Sequence, residues 1–78
     1  MAGRRETVSD SEILEIFIQS QDPFLTTNEV ADSIEFSNEG ARKRLYDLAE
    51  RSLVDFKRVG RSPGWWITSH GEEYLEKS

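Results

Sequence analysis

The sequence predicts one α+β domain, in which three helices precede a two-stranded β-hairpin and a short final helix. Two observations predict this order. Ser/Thr-x-x-Glu capping boxes, which mark helix starts, occur at three places along the chain. After Leu53 the spacing of apolar residues changes from helical to strand-like and is followed by a dense turn signal. At 78 residues the chain is the size of a single domain, so its core is expected to be small.

The first helix is expected to begin at a capping box formed by Ser9 and Glu12. Apolar residues then recur at helical spacing until Asp22-Pro23, where proline disfavours helical geometry in the residue before it. Residues 1–8 show no periodicity and predict a flexible N-terminal arm. Residues 9–78 are therefore interpreted as the folded domain.

Two further helices follow in close succession. The second is short and starts at a capping box formed by Thr26 and Glu29. The third is expected over residues 38–51, with Ser37 or Asn38 as its N-cap. Its predicted buried face repeats at i, i+4, i+7 and i+8 and consists of Ala41, Leu45, Leu48 and Ala49.

Residues 53–59 mix β-branched, aromatic and charged side chains, as a strand with one solvated face does. Residues 60–64 are a turn signal, and residues 65–68 are expected to return as the second strand. Adjacent strand residues face opposite sides, so Trp65 is predicted in the core and Trp66 half exposed, either covering the sheet or meeting a protein partner. A capping box at Ser69 should open the last helix, with His70 in its first turn.

This order of elements resembles the winged helix-turn-helix family of DNA-binding domains, and within it small prokaryotic and archaeal-type transcription regulators. The resemblance covers residues from about 10 to 75. The matching stretches are residues 25–31, 37–45, 48–54 and 65–71. Many family members have glycine where this chain has Ser52, which predicts a differently capped helix end. The resemblance implies a three-helix core with a hairpin wing and a DNA-binding activity.

Charge is distributed unevenly along the chain, whose formal net charge is -5. Residues 42–61 contain seven basic and three acidic residues, a local charge of +4, which leaves -9 for the remainder. This asymmetry favours one basic face that binds a polyanion, while the rest of the surface is acidic and exposed to solvent. The acid-rich, lysine-poor composition also leaves open an adaptation to concentrated salt.

Carried over by position, the family's docking mode implies a set of DNA-binding residues. Asn38, Arg42 and Lys43 would reach base edges in the major groove, with Tyr46 beside them and Arg44 on a phosphate. The other candidates are Ser37 at the start of the helix, Glu39 facing a cytosine amino group, Thr27 and Asn28 facing a phosphate, and Lys57, Arg58 and Arg61 on the wing. The alternative is a solvated helix face on which Lys43 pairs with Asp47 and Tyr46 pairs with Glu50. Arg51 is interpreted as structural.

Other function classes find little support in the residues. The chain has no cysteine and one histidine, so neither a metal site, a cofactor nor an enzyme is predicted. It has no apolar run of membrane-spanning length, which predicts a cytoplasmic protein with no membrane partner. Double-stranded DNA is the expected partner, and a homodimer through the first or last helix stays open. The alternative function is a winged helix that binds protein, as an adaptor in a replication or regulatory assembly.

Overall fold

A computed structural model describes residues 8–77, with the side chains of Val59 and Ser62 left out of the description. The elements are α1 (Asp10–Gln19), β1 (Leu25–Thr26), α2 (Thr27–Ile34), α3 (Asn38–Glu50), β2 (Val54–Val59), β3 (Ser62–Ile67) and α4 (Ser69–Lys77). This confirms the predicted α+β class and the predicted order of helices and hairpin. Of the predicted arm, residues 1–7 lie outside the described residues, and Val8 is buried in the core.

Both N-terminal capping boxes form as predicted. The amide of Glu12 donates to Ser9 Oγ at 3.1 Å, and the amide of Ser9 donates to Glu12 Oε1 at 3.1 Å. At α2 the amide of Glu29 donates to Thr26 Oγ1 at 3.2 Å, and the amide of Thr26 donates to Glu29 Oε1 at 2.9 Å. Because these bonds join residues three apart, the sequence alone is enough to specify both helix starts.

The sheet has three antiparallel strands in the order β1-β3-β2. Strand β1 was not predicted, because two residues are too few to show a period of two. It pairs Leu25 with Trp65 and Thr26 with Gly64, so it places the start of α2 against the middle of β3. The core helices and the hairpin are thus connected by backbone hydrogen bonds as well as by side-chain packing.

The wing turn is shorter than predicted. Val59 pairs with Ser62, so the turn consists of Gly60 and Arg61, and the residues expected to complete it belong to β3. Gly60 has a φ of 64°, and the favoured two-residue hairpin turns require a positive φ at this position. Pro63 is tolerated in β3 because it lies beyond the two residues paired with β1, where the strand has a neighbour on one side only.

The core lies between the helices and the inner face of the sheet. Among residues 8–77, fourteen buried apolar side chains form one cluster, and those that are at most 2% exposed come from α1, α2, α3, β2 and β3. Trp65 is fully buried as predicted, and its indole Nε1 donates to Thr27 Oγ1 at 2.9 Å. That bond satisfies the one polar atom of the largest core side chain.

The junction from α3 to β2 is closed by a left-handed residue, Ser52, with a φ of 66°. The amide of Ser52 donates to the carbonyl of Ala49 at 2.9 Å, and the amide of Leu53 donates to the carbonyl of Leu48 at 3.0 Å. These two bonds are those of a Schellman motif, in which glycine usually occupies the left-handed position. The prediction of a differently capped helix end is therefore wrong, because α3 ends in the usual motif with serine in place of glycine.

Helix α4 begins at Ser69, but its N-cap is Thr68, so the capping box predicted at Ser69 is wrong. The amide of Gly71 donates to Thr68 Oγ1 at 3.0 Å, and that hydroxyl lies 2.6 Å from the carbonyl oxygen of Ser52. Thr68 is the N-cap because its hydroxyl can accept from the first turn of α4 and also donate to a carbonyl at the α3–β2 junction. Gly71 packs so closely there that a Cβ would collide with the carbonyl of Leu53.

No helix within residues 8–77 combines the length and the apolar character that crossing a lipid bilayer requires.

Candidate nucleic-acid interface

Helix α3 has one buried and one exposed face, and they divide as predicted. Ala41, Leu45 and Leu48 are each fully buried, and Ala49 is half buried against the core. The outward residues of the first three turns are exposed: Asn38, Glu39, Arg42, Lys43 and Tyr46. The residues expected to read bases therefore project from the side of the helix that faces away from the domain.

The N-terminal ends of α2 and α3 are joined by a pair of amide side chains. Asn38 Nδ2 donates to Asn28 Oδ1 at 2.9 Å. Asn38 retains a second amide hydrogen and its carbonyl oxygen for other contacts. Ser37 is exposed and is the N-cap, and its Oγ accepts from the amide of Gly40 at 3.0 Å. Its hydroxyl thus supports the helix start, although it can still donate outward.

Between α2 and α3 the chain turns at Glu35, which has a φ of 60°. The amide of Phe36 donates to the carbonyl of Ala31 at 3.0 Å. This left-handed cap stops α2 after eight residues and redirects the chain so that α3 begins only three residues later. The sequence marked an interruption at residues 36–38, but it did not indicate that a glutamate would adopt this conformation.

Three aromatic rings connect α3 to the wing. The Tyr46 ring meets Phe56 edge-on at a centroid distance of 5.2 Å and Trp65 edge-on at 5.0 Å. The Phe56 and Trp65 rings are 4.7 Å apart. This cluster fixes the position of strand β2 relative to the exposed face of α3. The sequence predicted Tyr46 on the DNA surface or paired with Glu50, and the structure adds this packing role.

The wing carries Lys57, Arg58 and Arg61, all of them exposed. Neighbouring residues of a strand face opposite sides, so Arg58 shares the side of Phe56, which packs on α3, and Lys57 lies on the other side. Arg58 is therefore better placed than Lys57 to act together with α3. Arg61 lies in the two-residue turn at the tip.

Arg44, expected to contact a phosphate, is instead half buried in an ion pair. Its Nη2 lies 2.9 Å from Asp10 Oδ1, and Nη2 of Arg51 lies 2.7 Å from Asp10 Oδ2 and 3.2 Å from Asp47 Oδ2. Asp10 thereby joins the first turn of α1 to the outer edge of α3. The structural interpretation of Arg51 fits this arrangement. This ion pair competes with the phosphate contact expected for Arg44, because Arg44 lies at the edge of the buried sector, within reach of Asp10.

The charges in this cluster reinforce one another. Burial alone raises the pKa of the Asp10 carboxyl, but hydrogen bonds from Arg51 and Arg44, together with their charges, outweigh it and lower that pKa below its ordinary value of 3.8. The pKa of Arg51 is raised, chiefly through its hydrogen bond to Asp10. Asp10 is therefore ionised at neutral pH, and both arginines are engaged in holding α1 to α3.

Thr27 also differs from the expectation that its hydroxyl faces a phosphate. Its side chain is buried, and Oγ1 accepts the indole hydrogen of Trp65. The reason is that β1 holds the start of α2 against β3, which turns this first helical residue inward. Asn28, the next residue, is exposed.

The basic surface therefore contains fewer free cations than the number of basic residues in the sequence suggests. Of seven basic residues between positions 42 and 61, Arg44 and Arg51 are ion-paired. The remaining five are exposed and have no ion-pair partner within residues 8–77: Arg42, Lys43, Lys57, Arg58 and Arg61. On α3 the basic patch is short, because Arg42, Lys43 and Tyr46 share a shallow depression with Asp47 and Glu50.

Two other predicted features can be located. Trp66 is half buried and lines a surface groove with Phe17, Pro23 and Phe24. His70 is exposed in the first turn of α4, as predicted. Across residues 8–77 no cluster of three or more histidine, cysteine or acidic residues has the arrangement of a metal site.

No protein-family model matches the chain, and no curated protein matches it in sequence. Solved structures do match in fold. Staphylococcus aureus MepR, in a crystal structure of its DNA complex, has a TM-score of 0.77 at 18% identity over 86% of this chain and 56% of its own. The transcriptional regulator PcaV from Streptomyces coelicolor, in complex with its natural ligand, has a TM-score of 0.76 at 21% identity over 91% of this chain and 52% of its own.

A further MepR structure, described as a transcription regulator of the S. aureus multidrug efflux pump MepA, has a TM-score of 0.77 at 19% identity and covers 86% of this chain. This chain spans about half the length of these proteins. At such identities the likeness shows the fold, which is that of a winged helix.

Proposed function

We propose that this protein binds double-stranded DNA in a sequence-specific manner and acts as a transcriptional regulator in the cytoplasm. Residues 38–51 would enter the major groove as the recognition helix, and residues 57–64 would lie along the backbone or in the minor groove as the wing. One observation carries the proposal: in a chain with a net charge of -5, the exposed basic residues of α3 and the wing are held together by one aromatic cluster.

The individual roles follow from side-chain chemistry and exposure. Arg42 and Lys43 can reach guanine acceptors, and Asn38 can bridge an adenine with its remaining amide hydrogen and its carbonyl oxygen. Arg58 and Arg61 can neutralise phosphates or enter a narrow minor groove. Glu39, beside these residues, can accept from a cytosine amino group or disfavour other bases.

The helix ends and the acidic surroundings support the same orientation. Asn28, which is exposed in the first turn of α2, is hydrogen-bonded to Asn38 at the start of α3, where side-chain and backbone donors can position a phosphate. Away from residues 42–61 the chain carries a formal charge of -9, which repels DNA from other faces. The DNA complex of the structurally similar MepR lends further support.

The first experiment is binding of random-sequence duplex DNA by the full chain across a salt series. The logarithm of the association constant should fall linearly with the logarithm of salt concentration, with a slope of about 0.9 per phosphate neutralised. Lys43→Ala should weaken binding, and if Lys43 contacts a phosphate the slope should fall by about one unit. The series should extend to molar salt, because the acidic composition leaves a high-salt cytoplasm open.

Lys77→Ala is the matched control, because it removes the same charge from the last turn of α4, outside α3 and the wing. If Lys77→Ala and Lys43→Ala weaken binding equally, the charge of the chain and not this surface is responsible. Absence of any salt-dependent binding by the unaltered protein would refute the DNA proposal. Selection of preferred sequences from random DNA then tests specificity, and two-fold symmetry of the selected motif would indicate a dimer.

The alternative function, a winged helix that binds protein, is favoured by a different observation. Trp66 is half buried and Phe24 is 42% exposed, and the two line one groove on the sheet side of the domain. Trp66→Ser should leave DNA binding unchanged if the proposed interface is right. Loss of DNA binding in a folded Trp66→Ser protein would show that the sheet side, and not α3, is the contact surface.

A further inference from the structure

A second surface, unrelated to the DNA-binding proposal, lies where α1 and α4 pack against each other. Ile18 is 48% exposed there, and Leu75 is half buried beside it. Three carboxylate side chains, Glu15, Glu72 and Glu76, complete the lining of the depression between the two helices. These five residues define the α1–α4 groove.

Helical spacing brings the side chains of the groove together. Glu15 and Ile18 are three residues apart on α1, and Glu72, Leu75 and Glu76 are three and four apart on α4, so each set shares one face of its helix. The apolar side chains are thus flanked by acidic ones on both helices. The lining residues span about one turn of each helix, roughly 4.5–6 Å, so a partner helix would contact the groove through one or two of its turns.

Electrostatics decides which occupant fits. Within residues 8–77 none of the three carboxylates has an ion-pair partner. A second copy docked symmetrically on the same face would bring these carboxylates against their own equivalents, which costs energy. DNA and anionic lipid are repelled for the same reason. A cationic partner would neutralise the rim while an apolar side chain covers Ile18.

We propose that the α1–α4 groove binds a basic amphipathic helix of another protein. Apolar residues at i and i+3 or i+4 of that helix pack on Ile18 and Leu75, and flanking lysine or arginine residues pair with Glu15, Glu72 and Glu76. The winged helix then carries two surfaces of opposite charge, one on α3 and the wing and one on α1 and α4.

The test uses the full chain and a fluorescein-labelled peptide of about 14 residues, made of lysine and leucine with the leucines on one helical face. Binding is followed by fluorescence anisotropy at low and high salt. Glu72→Gln/Glu76→Gln should weaken binding about three- to ten-fold through the loss of two exposed ion pairs. Ile18→Gln should weaken it about ten-fold through the loss of apolar burial. A scrambled peptide of the same composition should bind at least ten-fold more weakly.

The matched control is Asp32→Asn/Glu73→Gln, which removes the same two charges from exposed positions outside the groove. It should change affinity less than two-fold. Equal losses in the two double variants, or equal binding of the scrambled peptide, would overturn the proposal in favour of unspecific attraction. Sedimentation that shows a dimer dissociated by Ile18→Gln would overturn it in favour of a second copy. None of these measurements involves DNA, so the result is independent of the proposed function.

Discussion

Replacing Ser52 with glycine should stabilise this protein. Ser52 has a φ of 66°, where an L-residue brings Cβ close to its following carbonyl oxygen. That conformation costs roughly 1–2 kcal/mol for a non-glycine residue, and glycine removes this cost. The greater conformational freedom of glycine in the unfolded chain offsets roughly 0.5–1 kcal/mol of that stabilisation. We therefore expect Ser52→Gly to raise the free energy of unfolding by about 0.5–1 kcal/mol.

Thermal and urea unfolding followed by circular dichroism would measure this change. In a domain of this size 1 kcal/mol corresponds to about 4–8 °C in Tm, so a rise of roughly 2–8 °C is expected. Ser52→Ala is the control, because alanine keeps Cβ and hence the strain, and should not stabilise. A Tm for Ser52→Gly at or below that of the unaltered protein, or an equal rise in Ser52→Ala, would refute the reasoning that the left-handed backbone is the source of the cost.

Three further changes test the tertiary contacts. Thr27→Val should lower the free energy of unfolding by about 1–3 kcal/mol, because the indole hydrogen of Trp65 then has no acceptor in the core; chemical denaturation measures it, and an unchanged midpoint would contradict the role of that bond. Gly71→Ala should lower it by about 1–3 kcal/mol through collision with the carbonyl of Leu53, and an unaltered Tm would show that α4 can shift. Asp10→Asn should lower stability by about 1 kcal/mol at neutral pH. The lowered pKa of Asp10 means that its contribution is present above pH 3.8 and is lost as the pH falls through the folded value, so the difference from Asp10→Asn should shrink below about pH 4 in a pH series of urea unfolding. A difference that stays constant with pH would contradict the ion pairs.

Much of the fold could be predicted because its signals are local. The capping boxes of α1 and α2 join residues three apart, and the buried stripe of α3 repeats every three or four residues, so both are visible in a short window of sequence. The same holds for the opposite faces of Trp65 and Trp66, which follow from the pleat of a strand.

The candidate site was predicted in outline for the same reason. The outward positions of α3, including Asn38, Arg42 and Lys43, follow from the stripe on its other side. Whether Arg44 faces a phosphate or a carboxylate could not be predicted from that stripe. Asp10 lies 34 residues away in sequence, and only folding brings the two together.

The sequence by itself thus determined the class of fold, the helix starts specified by nearby side chains and the face of α3 left to solvent. Only the tertiary structure decided that β1 joins the sheet, that Thr68 and not Ser69 caps α4, and that Thr27 turns inward to Trp65. It also decided which cations stay exposed. The physical reason is that each of these outcomes depends on a partner 16 or more residues away along the chain. Packing and burial, and not local spacing, determine such a partner.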